Sequence, residues 1–182
     1  QEDFPLNGSH PYDVSKSCAD LISTSYHHTY GAPVCITRCG NLFGPGDLNE
    51  NRIIPGTMLS VLNNECPIIR SDGTMVRDYV YIQDIVNGYM LLAEKMDDSS
   101  VHGLAFNFGT GEPTSVVNLV RRILAVTGRE DLQPKILNNA KDEIQNQYLS
   151  SERANLVLNW RPEASLETRL RETYAWYLKE RS

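Results

Sequence analysis

Tyr12 and Lys16 stand four residues apart in the run Pro11-Tyr-Asp-Val-Ser-Lys16. On a helix that spacing sets a phenol and an ammonium about 6 Å apart along one face, able to address a single ligand. The cation makes phenolate easier to form. Moving a tyrosine from about pKa 10 to near 7 takes roughly 4 kcal/mol of preferential phenolate stabilisation, and a tyrosine so tuned acts as a general base. The chain holds nine tyrosines, so the spacing also arises by accident, and a plain surface pair fits these two residues as well.

Three further segments carry candidate chemistry. Arg38-Cys-Gly-Asn41-Leu-Phe-Gly44-Pro-Gly46 follows a strand pattern, and a glycine-rich turn of this kind exposes backbone N–H groups while Asn41 offers donor and acceptor. It suits a diphosphate, although an ordinary strand-to-helix turn looks similar. Arg77-Asp-Tyr79-Val-Tyr81 alternates, which sets Arg77, Tyr79 and Tyr81 on one strand face. Arg77 there suits a phosphate and the tyrosines a sugar or base; a salt bridge from Arg77 to Asp78 or Asp84 is the alternative. Asn107-Phe-Gly109-Thr-Gly111-Glu-Pro-Thr114 imitates a dinucleotide fingerprint, but Thr114 stands where the third glycine belongs, and Glu130 and Asp131 follow a helix stop instead of a second strand.

The elements that must position these residues alternate between helical and extended patterns. Helices are predicted over Pro11 to Tyr30, Ile54 to Asn64, Asp84 to Met96, from a Thr114 cap to Gly128, Ser151 to Leu158 and Leu166 to Glu180. Strands are predicted over Pro33 to Arg38, Leu104 to Phe108 and near Lys135 to Leu137. Extended pieces are predicted within Cys66 to Tyr81 and near Gln147 to Leu149, and Cys39 to Asn51 is predicted as a loop. The class is α/β with a partly parallel sheet. Val14, Cys18, Leu21, Ile22 and Tyr26 recur at helical spacing in the first helix, and few strands are left to cover it.

At 182 residues the chain can bury one sizeable core, so a single unit is expected. A net charge of -6 argues against binding a nucleic-acid backbone. No run of about 18 apolar residues occurs, so no spanning helix and no membrane partner are expected, and without a signal-peptide pattern at Gln1 the expected location is cytoplasmic. Cys18, Cys35, Cys39 and Cys66 form no C-x-x-C pair, and His10, His27, His28 and His102 show no i, i+4 spacing. Reduced structural thiols and no metal are expected.

Taken in order, the Tyr12–Lys16 motif, the Asn41 to Gly46 loop, the Arg52-Ile-Ile-Pro55 segment, the Arg77 to Asp84 strand and the Ser151 to Pro162 tail resemble the extended short-chain dehydrogenase/reductase family, in particular its NAD-dependent nucleotide-sugar epimerases and dehydratases. Pro11 to Asp20 looks most like the motif of the CDP-glucose 4,6-dehydratases. The resemblance implies the C-terminal portion of a Rossmann-type fold with its sugar-nucleotide lobe. Residues 1–48 and 83–110 would form the remnant of the NAD-binding domain, and 49–82 and 111–182 the substrate lobe.

It further implies that Tyr12 takes the proton from the sugar 4-hydroxyl while hydride passes to NAD, and that Lys16 holds the nicotinamide ribose and acidifies Tyr12. Backbone at Cys39 would approach the nicotinamide. Asn41 and Arg77 would contact the substrate diphosphate, Arg52 and Ile54 would lie near the nucleotide, and Tyr79 would line the substrate pocket. Water would then leave across C5 and C6; a 4-epimerase or a non-enzymatic nucleotide-sugar binding module are the alternatives. The expected partners are a nucleotide sugar, by resemblance a CDP-hexose, and a second copy bound through the Tyr12–Lys16 helix. The phosphate-binding glycines of the family's N-terminal half have no counterpart in these residues, so that half is expected to be absent and the chain inactive alone.

Overall fold

In the computed structural model, which describes residues 1–139 and 144–180, the long first helix forms as α1, Pro11–Tyr30. Pro11 opens it, where a missing N–H costs nothing. Strand β1, Ile36–Cys39, starts later than its pattern suggests, because Pro33 lacks a donor and Val34 N turns back to Ala32 O at 3.0 Å. β1 lies parallel to β6, Ala105–Phe108, with Ile36 opposite Ala105 and Cys39 opposite Phe108.

The loop expected after β1 contains a strand instead. β2, Asn41–Phe43, pairs in parallel with β5, Tyr79–Tyr81. Gly40 permits it: a Cβ there would stand 2.8 Å from the Asp78 carbonyl oxygen, the group that accepts from Asn41 N at 2.7 Å. The turn signals belong to Gly44 and Gly46, past the strand end.

Helix α2, Ile53–Leu62, follows, and β3, Ile68–Ile69, lies parallel to β8, Lys135–Ile136. β4, Val76–Arg77, is sandwiched between β7, Thr114–Ser115, and β9, Asn146–Gln147. Among the described residues the strands form four small sheets, with α3 at Ile82–Lys95, α4 at Val116–Thr127, α5 at Glu152–Leu158 and α6 at Leu166–Glu180. The α4 cap is Ser115, whose hydroxyl accepts from Asn118 N. Thr114 was expected in that role but sits in β7, opposite Arg77.

Two main cores position the strands. Met58, Leu119, Ile123 and Leu170 from α2, α4 and α6 close over Phe43 and Tyr81. Val80, Phe106, Phe108 and Ile85 meet Leu158 and Trp160 in the second, so α5 packs with α3 and β6. A buried pair ties α3 to α6: Arg169 reaches Asp84 at 2.6 Å and lies 4.4 Å over the Tyr81 ring. Burial pushes the Asp84 carboxyl up, against the pull of Arg169.

Helix α1 differs. None of its residues is buried, and Val14, Leu21, Ile22 and Tyr26 are exposed. The expected apolar spacing is present, but no described element covers it. α1 is held mainly at its side and end, by Arg38 to Asp20 at 2.7 Å and by the His27 ring against Ala32 O at 3.0 Å.

Candidate active site

Tyr12 and Lys16 lie in the first two turns of α1, and Lys16 Nζ stands 5.5 Å from the centroid of the Tyr12 ring. The i, i+4 geometry therefore brings phenol and ammonium together on an exposed helix face. Cys39 ends β1 half-buried; burial pushes its thiol up, partly offset by a hydrogen bond with Tyr89. Such a thiol stays protonated and is a poor nucleophile.

A separate cleft of about 550 Å³ opens between α2 and the strands β2, β3, β4 and β5. Four of the residues singled out from sequence line it: Asn41 from β2, Arg52 at the α2 entry, Arg77 from β4 and Tyr79 from β5. Ile54 does not. It is 3% exposed in the α2 core, and its neighbour Ile53 faces the cleft, because one step along a helix turns a side chain by about 100°. Tyr12, Lys16 and Cys39 are not among the lining residues.

Asp78, which sequence reasoning treated only as a salt-bridge partner, lies behind the cleft between Arg77 and Tyr79. Alternation between Arg77 and Tyr79 turns its side chain to the buried side, 2% exposed. There its carboxylate accepts from Thr110 N at 2.8 Å, Thr110 Oγ1 at 2.6 Å, Gly111 N at 3.2 Å and Leu149 N at 3.4 Å. Gly109 is needed for this approach, since a Cβ would stand 2.4 Å from Asp78 Oδ2. The turn that imitates a dinucleotide fingerprint thus spends its N–H groups on an internal carboxylate and on Ser151 Oγ.

The loop before α2 is similarly fixed. Arg52 pairs with Asp47 at 3.2 Å, and the Asp47 carbonyl accepts the Tyr177 hydroxyl from α6. Burial, with the Asp47 charge beside it, pushes that phenol up to about 12. Asp47 Oδ1 accepts from Asn49 N, and Asn49 Oδ1 from Asn51 N, both at 3.1 Å. All four cysteines are free. Among the described residues no cluster of metal-ligating side chains occurs, and no helix is long and apolar enough to cross a membrane.

This geometry can be set beside known proteins. The sequence profile of the NAD dependent epimerase/dehydratase family matches residues 1–109. The chain belongs to that family. Its members are enzymes, and they depend on NAD.

Among the family's curated members, a dTDP-glucose 4,6-dehydratase of Streptomyces griseus is 29% identical over 181 residues, covering 100% of this chain and 54% of the relative. A UDP-glucuronate 4-epimerase of Thermodesulfobacterium geofontis is 30% identical over 175 residues, covering 96% of this chain and 51% of the relative. The chain thus spans about half the length of the curated relatives it matches.

Solved structures agree. A dTDP-glucose 4,6-dehydratase from Bacillus anthracis, crystallised with NAD, superposes with a TM-score of 0.85 at 26% identity, over 98% of this chain and 55% of that one. The enzyme of the same name from Streptomyces venezuelae gives 0.89 at 28% identity, over 99% and 54%. The fold is the Rossmann-like α/β fold of these structures, matched along their C-terminal half.

Proposed function

We propose that the chain carries the substrate cleft and the Tyr12–Lys16 pair of an NAD-dependent nucleotide-sugar 4,6-dehydratase. The observation that carries the proposal is the convergence of Asn41, Arg52, Arg77 and Tyr79, from four segments, on one cleft. Two guanidinium groups match a diphosphate, bidentate where geometry allows. The Asn41 amide offers both hydrogen-bond senses, and Tyr79 supplies a ring wall.

The exposed phenol and ammonium of Tyr12 and Lys16 fit a hydroxylated nicotinamide ribose, with the backbone at Cys39 beside the nicotinamide. NAD, when bound, supplies the hydride acceptor. Tyr12 then accepts the proton of the sugar 4-hydroxyl, and Lys16 lowers the cost of the phenolate and holds the ribose. Oxidation at C4 acidifies C5, which permits loss of water across C5 and C6; the hydride taken from C4 would then return to C6, leaving the 4-keto-6-deoxy sugar with no net oxidation. Residues 1–48 with 83–110 are assigned to the NAD side, and 49–82 with 111–182 to the sugar-nucleotide side.

The substrate class proposed is a nucleoside-diphosphate hexose, with CDP-hexose suggested by the Pro11 to Asp20 motif. A 4-epimerase is the second reading, favoured by the relative of that name, since Tyr12 and Lys16 serve both reactions. The deciding experiment joins the chain to the NAD-binding half of a family dehydratase and supplies CDP-, UDP- and dTDP-glucose. A 4-keto-6-deoxy sugar, lost in Tyr12→Phe, is expected; a C4-inverted sugar would point to the epimerase, and nucleotide binding without any turnover to a non-enzymatic module.

A further inference from the structure

The cleft wall holds two side chains that sequence reasoning passed over, Arg70 and Asn51. Arg70 follows β3 and Asn51 precedes α2, and Arg70 Nη2 donates to Asn51 Oδ1 at 2.6 Å. A guanidinium has donors only, so this bond fixes the amide: its oxygen is committed to Arg70 and its NH2 is left for a ligand. Both residues are held from behind. Asn51 N donates to Asn49 Oδ1 at 3.1 Å, and the Arg70 carbonyl accepts from Asn139 N at 2.7 Å. Arg70 Nε and Nη1 together with Asn51 Nδ2 make this stretch of wall a row of donors, and its partner is neutral, whereas Arg52 is paired with the Asp47 carboxylate.

We infer that Arg70 and Asn51 read the base of the bound nucleotide and select one that presents two adjacent acceptors, cytosine through O2 and N3 or guanine through O6 and N7. Uracil and thymine fail the test, because their N3–H turns a donor toward donors. Glu50 and Glu65 line the same cleft and offer the acceptors that the amino group of cytosine or guanine needs. The inference rests on the nucleotide-sugar reading above. It sets this chain apart from the relatives named for dTDP- and UDP-sugars. A donor set against a donor in place of an acceptor is worth roughly tenfold in affinity.

The test is calorimetric titration of the chain with CDP, GDP, UDP and dTDP, repeated with Arg70→Ala, Arg70→Lys and Asn51→Ala. Both side chains are exposed, so the fold is expected to survive, and far-ultraviolet circular dichroism checks that. CDP or GDP should bind at least about tenfold tighter than UDP and dTDP, the tighter of the two naming the base. Arg70→Ala and Asn51→Ala should erase most of that preference, and Arg70→Lys should keep charge while losing selectivity. Equal affinity for all four, or a preference for UDP or dTDP, overturns the assignment and leaves the nucleotide-sugar reading intact. A uniform loss in Arg70→Ala makes Arg70 a phosphate contact and overturns it too. No binding of any nucleotide by the folded chain overturns both readings together.

Discussion

Asp78 sits between two cleft residues, and its carboxylate gathers N–H and O–H groups from Thr110, Gly111 and Leu149 while its carbonyl holds Asn41 N. Asp78→Ala is therefore expected to strand several buried donors and lower stability by at least about 2 kcal/mol, measurable by urea unfolding. Tyr12→Phe removes only a surface hydroxyl. In the enzyme rejoined to an NAD-binding half it should cut turnover by about 10²- to 10⁴-fold, with nucleotide affinity unchanged in the same titration. The two differ in how readable they were. Tyr12, Lys16 and Arg77 announce themselves through local spacing, because helix and strand periods are local. Asp78 and Arg70 take their roles from partners brought in by the fold from distant segments, which no window of sequence contains.

At the scale of elements, α3 and α6 are joined by Asp84 and Arg169, both largely buried. Arg169→Ala leaves a carboxylate without its cation and should cost about 3–5 kcal/mol near neutral pH. The folded pKa of Asp84 is raised by burial, so its titration contributes stability that is present below the unfolded value of about 3.9 and lost as pH rises through the folded one. The deficit of Arg169→Ala should consequently shrink as pH falls, seen as converging unfolding midpoints. Tyr177 gives the alkaline counterpart. With its phenol raised to about 12, stability should fall from about pH 10 until that value is passed, and the difference between wild type and Tyr177→Phe should narrow over that window. The long helices were legible from their apolar periods. β2 was not, since three residues flanked by Gly40 and Gly44 read as a turn, and the α4 cap lay one residue beyond the one chosen, where Thr114 and Ser115 are equally able to cap.

For the molecule as a whole, α1 presents an apolar face that no described element covers. Its apolar period was read correctly, yet Leu21, Ile22 and Tyr26 stay exposed among the described residues. A homodimer formed through this helix is proposed, and Leu21→Glu with Ile22→Glu should turn a self-associating chain into a monomer in sedimentation analysis. The α/β class was available from the alternation of patterns, whereas the gathering of four segments around one cleft required coordinates. That cleft is the central claim, and mapping backbone amide shifts while titrating a nucleotide sugar into the chain tests it most directly. Saturable shifts centred on Asn41, Arg52, Arg70, Arg77 and Tyr79 are predicted. Shifts centred instead on the other surface hollow, around Tyr148, Asn155 and Arg161, or no saturable shift at all, would contradict it.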